Sequence, residues 1–448
     1  MNPLSMIHPM TLTYPLSMTH PLTLTLPLSL HPLSLHPLSL WAIAALAAFA
    51  VTEFLKHLLD HLNLAHMQSR GAVVPQEFSG LIDEDAMKKS IEYARVRTRF
   101  GLVSGIFNAL LTAAFYFGGI LAAYDAWVRG LHTSFIASGT VFFILLSYAE
   151  TLVNIPFALY DTFVIENRYG FNKTTPALWV ADFLKSTLIS TILLCAVISA
   201  ALWLIGWSPQ RWWLWVWGFL FTFSMFMMYV SPYVIEPLFN KFTPISDEGF
   251  LRDVTALMLR AGIAVERVFK MDASRRSGHT NAYFTGIGKT RRIVLFDTLM
   301  EKTTRAELLS VLAHEAGHWK KKHLFKTLAA FETASLVLLY AVFRLADSDA
   351  PAAALGIHDP SFYARALVLG FFGGILSFYI SPVANYFMRR HERQADEFAV
   401  GITGDKESLK SALVKLTRDN LSNPYPHPLY VVFHHSHPPV LERLRHID

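Results

Sequence analysis

Long apolar runs separated by polar loops dominate the chain from Leu40 onward. A helix needs about 20 consecutive, mostly apolar residues to cross the hydrocarbon core of a bilayer. The first of these runs is the weakest, because Glu53 and Lys56 interrupt it. The seven predicted spans are Leu40–Leu58, Phe100–Trp127, Phe135–Leu159, Leu184–Trp207, Trp212–Ile235, Thr327–Phe343 and Ala366–Phe387. The pattern therefore predicts a mainly α-helical, multi-pass integral membrane protein.

The distribution of Lys and Arg between the loops predicts the orientation of these spans. One set of loops contains many basic residues, including Lys88 and Arg390, whereas the loops on the opposite side contain few, such as Arg129. Cytoplasmic loops carry the excess of Lys and Arg. We therefore expect the amino terminus outside and the carboxyl terminus in the cytoplasm, in a bacterial-type inner membrane. The predicted organisation is 1–39 (low-complexity extension), 40–235 (five spans), 236–326 (first cytoplasmic segment), 327–387 (two spans) and 388–448 (second cytoplasmic segment).

The composition supports the membrane class and limits the chemistry. The chain is 53% hydrophobic and only 16% charged, whereas soluble domains carry about 25% charged residues. Cys195 is the single cysteine, so a disulfide within the chain and a Cys-based zinc site are both excluded. No run of basic and aromatic residues suggests a nucleic-acid groove, and we expect no nucleic-acid partner.

The first 39 residues repeat short units that contain Pro and His, such as HPLSLHPLSL, and they include no Lys or Arg. Frequent Pro prevents a stable helix, and the segment lacks the basic start of a secretory signal. We predict a disordered low-complexity extension, and a metal-binding histidine tract is the less favoured alternative.

The first cytoplasmic segment combines helices with a small β element. The run DEGFLRDVTALMLRAG predicts a helix that ends at Gly262. The runs NAYFTGIG and RRIVLFD predict a hairpin or two adjacent strands. Thr304 precedes Glu307 by three positions, which is the capping-box pattern that begins a helix. The apolar residues that follow indicate that this second helix continues through the sequence HEAGH.

The HEAGH sequence has the spacing of a metal site. His314 and His318 are one helical turn apart on the same face, so both imidazoles can bind one Zn²⁺. Glu315 follows the first histidine and can contact a metal-bound water from the side. The alternative, a solvated helix face with incidental histidines, fits poorly with the predicted helical context.

A catalytic zinc site also needs a third protein ligand and an open fourth position. The sequence RRHERQADEFA after the last span offers Glu392 as this ligand. Asp396 lies four residues later on the same helical face, where it can accept a hydrogen bond from a ligand imidazole. Because His391 and Arg393 are close in the sequence, an ordinary charged surface is the alternative.

Six motifs carry a resemblance to a known family: HEAGHW, ERQADEFA, HTNAYFTGIG, RRIVLFDTLM, IENRYGFNKTT and SHPPVLERL. In these motifs the chain resembles the Ste24 or CAAX prenyl protease 1 type of integral-membrane zinc metallopeptidase, a gluzincin of family M48. The resemblance extends from about Leu40 to the last residue. It implies about seven transmembrane helices around a water-filled chamber, with a cytoplasmic gluzincin-like zinc protease domain that contains a small β element. Such a chamber would account for Glu150 in the middle of a span. The sequence ERQAD departs from the EYQAD or EFQAD pattern of the family, but it keeps Glu392 and Asp396 in place.

The resemblance also implies roles for individual residues. The implied ligands of one zinc ion per chain are His314, His318 and Glu392. The implied catalytic base is Glu315. His437 of the SHPP sequence would stabilise the oxyanion, and the alternative is that it is one more histidine in a His-rich tail. Asn281, Ala282 and Tyr283 would belong to an edge strand along which an extended substrate binds.

We therefore predict a zinc metalloendopeptidase that hydrolyses peptide bonds with a metal-activated water. Its expected substrates are membrane-associated or carboxyl-terminal peptides, with or without a lipid anchor. An HtpX-like protease of membrane-protein quality control is the first alternative, although that branch has fewer spans. A non-catalytic zinc-binding transporter or scaffold is the second alternative, and such a protein would not need Glu315.

Overall fold

The fold is described from a computed structural model, which covers residues 39–71, 73–265, 267–285 and 292–448. The prediction of a disordered extension over residues 1–39 falls almost wholly outside the described residues, and so does the alternative of a metal-binding histidine tract. The helices of the amino-terminal half are α1 (Leu40–Arg70), α2 (Glu84–Phe117), α3 (Ile120–Arg129), α4 (Phe135–Tyr169), α5 (Pro176–Trp207) and α6 (Trp212–Phe239), with a 3₁₀ turn at Gln76–Phe78.

The carboxyl-terminal half alternates shorter helices outside the predicted spans with two more long apolar helices. Its helices are α7 (Glu248–Ala261), α8 (Asp297–Lys302), α9 (Arg305–Lys320), α10 (His323–Ala346), α11 (Ala350–Ala354), α12 (Phe362–Thr403), α13 (Lys406–Asp419), α14 (Pro428–His434) and α15 (Val440–Ile447), with a 3₁₀ turn at Ala273–Arg275. Among the described residues, seven helices are long and apolar enough to cross a membrane, namely α1, α2, α4, α5, α6, α10 and α12. The predicted count of spans is confirmed.

Small polar residues define where most of these long helices begin. Each accepts a hydrogen bond from the main-chain N–H three positions later, which satisfies one of the unpaired donors of the first turn. The residues are Ser39 for α1, Asp83 for α2, Ser134 for α4, Thr175 for α5 and Ser361 for α12.

The second predicted span is wrong in its extent. We predicted one helix over Phe100–Trp127, whereas α2 ends at Phe117 and α3 begins at Ile120. Gly119 adopts φ 80°, a left-handed conformation that ends the first helix and redirects the chain. Both helices are apolar, so hydropathy alone does not reveal the break.

A four-stranded sheet covers the carboxyl-terminal end of α6. Its strands are β1 (Phe242–Pro244), β2 (Arg267–Met271), β3 (Ala282–Thr285) and β4 (Arg292–Phe296), in the order β1-β2-β4-β3. The predicted pair of adjacent strands is confirmed, because β3 pairs with β4 in antiparallel register. Strand β3 lies at the edge of the sheet.

Two apolar cores lie in different parts of the molecule. The first packs the sheet against α7, α9, α13 and α15, and its buried members include Leu257, Ile293, Leu295, Leu312 and Leu444. The second joins α1, α3, α4, α5, α11 and α12, and its members include Phe49, Leu121, Phe142, Leu202 and Tyr363. The first core holds the elements that carry the HEAGH sequence.

Polar contacts attach the part of the chain that carries the sheet to the membrane helices. The guanidinium of Arg276 donates two hydrogen bonds to the carboxylate of Asp182 on α5, with distances of 2.8 and 3.1 Å. His279 stacks on Phe171 with ring centroids 4.0 Å apart, and its Nε2 lies 3.3 Å from Glu166 Oε2 at the end of α4. The segment before β3 is therefore held against the loop that follows α4.

Candidate metal centre

Helix α9 carries both histidines of the predicted metal site on one buried face. The helix begins at the predicted capping box: the N–H of Glu307 donates to Thr304 Oγ1 at 3.4 Å, and the N–H of Thr304 donates to Glu307 Oε2 at 2.8 Å. Leu312 and the other apolar residues of this helix pack into the first apolar core, which also contains the sheet. His314 and Glu315 are both buried on this helix.

Helix α12 brings the acidic residues to α9 because Gly317 allows close contact. A Cβ atom at position 317 would lie 3.0 Å from the Cα of Ala395 and 3.1 Å from its carbonyl oxygen. Any side chain would therefore push the two helices apart. Ala395 stands between Glu392 and Asp396, and both of these carboxylates are buried at the contact.

The three predicted ligands meet at one point. His314 Nε2 lies 3.1 Å from His318 Nε2. Glu392 Oε2 lies 3.4 Å from His314 Nε2, and Glu392 Oε1 lies 3.2 Å from His318 Nε2. Within the described part of the chain, these residues form the one group of three His, Cys, Asp or Glu side chains suited to a metal ion.

Nδ1 of His314, the ring nitrogen that faces away from the other predicted ligands, is held by a buried acidic residue. His314 Nδ1 donates to Asp396 Oδ1 at 2.8 Å, and this hydrogen bond leaves the Nε2 lone pair facing the other ligands. Burial lowers the pKa of His314, but the hydrogen bond and charge of Asp396 outweigh burial and raise that pKa to about 9. A metal ion therefore competes with a proton for Nε2.

Arg443 on α15 neutralises this acidic residue. Its Nε lies 2.8 Å from Asp396 Oδ2 and its Nη2 lies 2.6 Å from Asp396 Oδ1. Such a two-pronged contact fixes the plane of the carboxylate. The sequence analysis assigned no role to Arg443, although it lies in the quoted motif SHPPVLERL, because 47 positions separate it from Asp396.

Glu315 lies next to the metal centre without taking part in its ligand set. Its side chain is 8% exposed. Among the described residues, no hydrogen bond or ion pair engages its carboxylate, although the positive charge of Arg443 acts on it. The carboxylate is therefore available to accept a proton beside the metal position.

The structure also brings His437 to the centre. Its Nε2 lies 3.3 Å from Glu392 Oε1, and about a third of its side chain is exposed. Its Nδ1 lies 2.9 Å from Ser436 Oγ. Burial lowers the pKa of His437, so the ring is neutral at neutral pH. If the Ser436 hydroxyl donates to Nδ1, Nε2 carries the proton and can donate into the site.

Helix α12 also holds the segment that leads to His437. The side chain of Arg389 is buried, and its Nη1 donates to the carbonyl oxygens of Val431 at 3.0 Å and His435 at 2.7 Å. Asn385 Nδ2 donates to the carbonyl of Phe433 at 2.7 Å. These contacts satisfy carbonyl groups at the end of α14, so the same helix positions Glu392 and His437.

The side chains of the predicted edge strand lie on both faces of the sheet. Ala282 packs in the core beside α9, whereas Tyr283 points to the other face of the sheet and donates to Glu236 Oε2 at 2.7 Å. Asn281 Oδ1 accepts from the N–H of Ala282 at 2.7 Å. The N–H of Phe296 donates to the carbonyl of Asn281, so this carbonyl faces β4. The main-chain groups of successive strand residues face opposite edges, so those of Ala282 and Phe284 face the outer edge of the sheet. The tyrosine side chain does not reach the metal centre.

Comparison with known proteins agrees with this geometry. The sequence profile described as the CAAX prenyl protease N-terminal region, with five membrane helices, matches residues 63–241. The profile of peptidase family M48 matches residues 247–448. The CAAX prenyl protease 1 homolog of Arabidopsis thaliana is 33% identical over 390 residues, which cover 84% of this chain and 90% of that protein. The chain belongs to peptidase family M48.

Other relatives of this M48 protein extend the comparison. The CAAX prenyl protease 1 of Saccharomyces cerevisiae is 30% identical over 410 residues, which cover 84% of this chain and 88% of that protein. The crystal structure of Saccharomyces mikatae Ste24p matches with a TM-score of 0.86 and 28% identity, and the match covers 92% of this chain and 100% of that one. The chain is therefore a multi-pass membrane metalloprotease of family M48 that acts on peptide or protein substrates.

Sequence reasoning missed several residues of this M48 site. Arg389, Arg443 and Gly317 position the residues that were predicted, and each acts through a contact between segments far apart in the chain. A glycine directly before the second histidine of a helical HExxH is a detectable sign of close helix packing. The two arginines have no comparable sign, because surface arginines are common in such segments.

Proposed function

We propose that this protein is a zinc-dependent endopeptidase that binds one zinc ion through His314, His318 and Glu392. The observation that carries this proposal is the spacing of the donor groups: the two Nε2 atoms lie 3.1 Å apart, and the Glu392 carboxylate brings one oxygen to 3.4 Å from His314 Nε2 and the other to 3.2 Å from His318 Nε2. Donor atoms about 2.0–2.1 Å from a tetrahedral zinc are about 3.4 Å apart. Two imidazoles and one carboxylate also form a typical catalytic donor set, which leaves a fourth position open.

The roles of the remaining residues follow from their positions. When bound, zinc would act as a Lewis acid and lower the pKa of a coordinated water to about 7. Glu315 accepts the proton of the attacking water and delivers it to the amine of the leaving group. Asp396 and Arg443 hold the His314 ring in the tautomer that presents Nε2. A non-catalytic transporter or scaffold would give no reason for a buried carboxylate at position 315.

His437 and the edge strand would bind the substrate. His437 donates Nε2–H to the carbonyl oxygen that becomes negatively charged in the transition state. The carbonyl of Ala282 and the main-chain groups of Phe284 would pair with an extended peptide, which then crosses the metal centre. Asn281 would contribute through its hydrogen bond to Ala282, which fixes the start of this edge.

The substrate class and the location are inferred from relatives and from loop charge. The named relatives are CAAX prenyl proteases, which supports carboxyl-terminal peptides of membrane-associated proteins, including lipidated ones, as substrates. The loop charges support an active site on the cytoplasmic side of a bacterial-type inner membrane, with the amino terminus outside. An HtpX-like role in quality control fits less well, because that branch has fewer spans than the seven candidate spans found among the described residues.

Zinc analysis of the purified protein tests the ligand assignment. We expect about one zinc ion per chain in the parent protein. The double variant His314→Ala, Glu392→Ala should lose it, because a single remaining histidine cannot hold the ion. The matched control is His446→Ala, Glu397→Ala, which removes a surface histidine–glutamate pair with a 3.1 Å contact and should keep the ion. Stoichiometric zinc in the first double variant would refute the assignment.

A further inference from the structure

A second buried histidine adjoins the metal centre and has no role in the reaction described above. His323 is the first residue of α10 and is 3% exposed. Its Nδ1 lies 3.1 Å from Nδ1 of His318, on the side of that ring opposite the ligand atoms. Its Nε2 lies 3.0 Å from Oε1 of Gln394 on α12. The three side chains form one continuous line of contacts.

The backbone between α9 and α10 is shaped to make this contact. Lys322 has φ 58° and ψ 35°, a left-handed conformation that costs a non-glycine residue about 1–2 kcal/mol. This turn folds the chain back, so that His323 meets a histidine only five positions earlier. The ring of His391 stacks on His323 with centroids 4.1 Å apart and an angle of 10° between the planes. The orientation of the His323 ring is therefore fixed from two sides.

The hydrogen-bonding capacity of each group determines where the protons lie. An amide oxygen can only accept, so Nε2 of His323 carries the proton in its contact with Gln394. A neutral imidazole has one N–H, so Nδ1 of His323 must accept. The donor to it is then Nδ1 of His318, and this leaves Nε2 of His318 unprotonated towards Glu392. The reverse order of donors would place a proton on the nitrogen that faces the metal position.

We propose that His323 and Gln394 are positioning residues that set the tautomer and orientation of His318, and through them the affinity for the metal. This inference rests on the proposed function, because it takes His318 as a ligand. It assigns to the second ligand the kind of support that Asp396 gives to the first. The Nδ1 atoms of His314 and His318 then both depend on side chains of α12, the helix that also supplies Glu392.

The proposal is tested by zinc affinity, measured by competition with a chelator in the purified protein. His323→Ala should weaken zinc binding by about 10–100-fold, the usual cost of losing such a partner. Gln394→Ala should weaken it by about fivefold, because one neutral hydrogen bond is lost. Gln394→Glu keeps an acceptor oxygen and should bind zinc at least as tightly as the parent. His391→Phe preserves the stacked ring outside the hydrogen-bonded line and should match the parent within about twofold.

A double-variant comparison separates positioning from general damage. Because Gln394 acts through His323, the double variant His323→Ala, Gln394→Ala should bind zinc no more weakly than His323→Ala alone. The thermal stability of the metal-free Gln394→Ala protein should match that of the metal-free parent. If His323→Ala does not fold, the comparison between Gln394→Ala and Gln394→Glu still decides the question.

Three results would overturn the inference. The first is zinc affinity in both His323→Ala and Gln394→Ala that equals that of the parent. The second is equal weakening by Gln394→Ala and Gln394→Glu, which would mean that the acceptor oxygen is irrelevant. The third is a loss of affinity in Gln394→Ala that is matched by destabilisation of its metal-free form. A parent protein without zinc would instead refute the proposed function itself.

Discussion

At the scale of single residues, each histidine of the centre is defined by the partner of its outer nitrogen. His314 donates to a carboxylate, His318 contacts His323, and His437 contacts Ser436. The same side chain can thereby present a lone pair or a proton to the centre. In the proposed function the first two present lone pairs to the metal, and the third presents an N–H to the oxyanion when the Ser436 hydroxyl donates to its Nδ1.

Replacement of His437 by alanine tests the last of these assignments. We expect kcat to fall by about 10²–10³-fold with little change in KM, because a transition-state contact is lost. His434→Ala is the matched control, since this histidine lies in the same tail and has no assigned role. Peptide cleavage measured at several substrate concentrations separates the two constants. A rise in KM alone would make His437 a substrate-binding residue, and unchanged kinetics would remove its role.

The sequence predicted those residues of the site whose relation is set by helical spacing. His314 with His318, and Glu392 with Asp396, are each four positions apart on one helix, so their shared face follows from 3.6 residues per turn. The partners Arg443, Arg389 and Gln394 were not predicted, because they meet their targets only through packing of separate helices. The edge-strand prediction for Tyr283 concerns its main chain and stays a prediction, whereas its side chain contacts Glu236 on the opposite face of the sheet.

At the scale of elements, the start of α9 is stabilised by a buried acidic residue. Glu307 accepts hydrogen bonds from Ser411 at 2.5 Å and Lys415 at 2.8 Å on α13, in addition to its capping contact with Thr304. Burial raises the pKa of Glu307, but the hydrogen bonds from Lys415, Ser411 and Thr304 outweigh burial and lower it below the usual value of 4.5. The helix that carries His314 and His318 is thus fixed to α13.

This capping contact predicts a pH dependence of stability. A depressed pKa in the folded protein contributes stability above the usual pKa, and the contribution is lost as the pH falls through the folded pKa. Glu307→Gln should therefore destabilise the protein by about 1–3 kcal/mol at pH 7. The difference from the parent should shrink below pH 4.5.

Thermal unfolding in one detergent at pH 7 and at low pH provides this measurement. Glu301→Gln is the control, because Glu301 is exposed on α8. A destabilisation by Glu307→Gln that is equal at both pH values would show that shape, and not charge, determines its contribution.

Local signals predicted the elements around the sheet well. The helix that ends at Gly262, the capping box and the paired strands are all present, because each depends on residues close in sequence. The sheet order, with β4 between β2 and β3, was not predicted, since it depends on a parallel pair whose strands are far apart. The break at Gly119 was missed because apolar residues lie on both sides.

At the scale of the whole molecule, the membrane helices expose most of their apolar surface. Only 0–28% of the residues in their most apolar windows are buried inside the protein. Several charged residues of these helices have protein partners: Lys56 pairs with Glu53 at 2.7 Å, and Lys185 pairs with Asp182 at 2.9 Å. Glu150 is exposed in the middle of α4. A water-filled chamber between the helices would supply its solvent.

Cysteine labelling tests the orientation and the chamber together. Cys195→Ser provides a cysteine-free background, into which single cysteines are introduced at Gln210, Arg260 and Glu150. The exposed turn at position 210 should react with an impermeant thiol reagent in intact cells, whereas position 260 on α7 should react only in opened membranes. Position 150 should react with a small hydrophilic reagent and not with a bulky one. Labelling of position 260 from outside would invert the orientation, and an unreactive position 150 would argue against a chamber.

The central claim is that Glu315 moves protons beside a zinc ion that it does not bind. The most direct test measures cleavage of a peptide with a prenylated CAAX carboxyl terminus, and bound zinc, in the same preparations of the parent protein and of Glu315→Gln. We expect about one zinc ion per chain in both proteins. We also expect a cleavage rate at least about 10²-fold lower in the variant. Cleavage by Glu315→Gln within about tenfold of the parent rate, or loss of zinc together with activity, would contradict this claim.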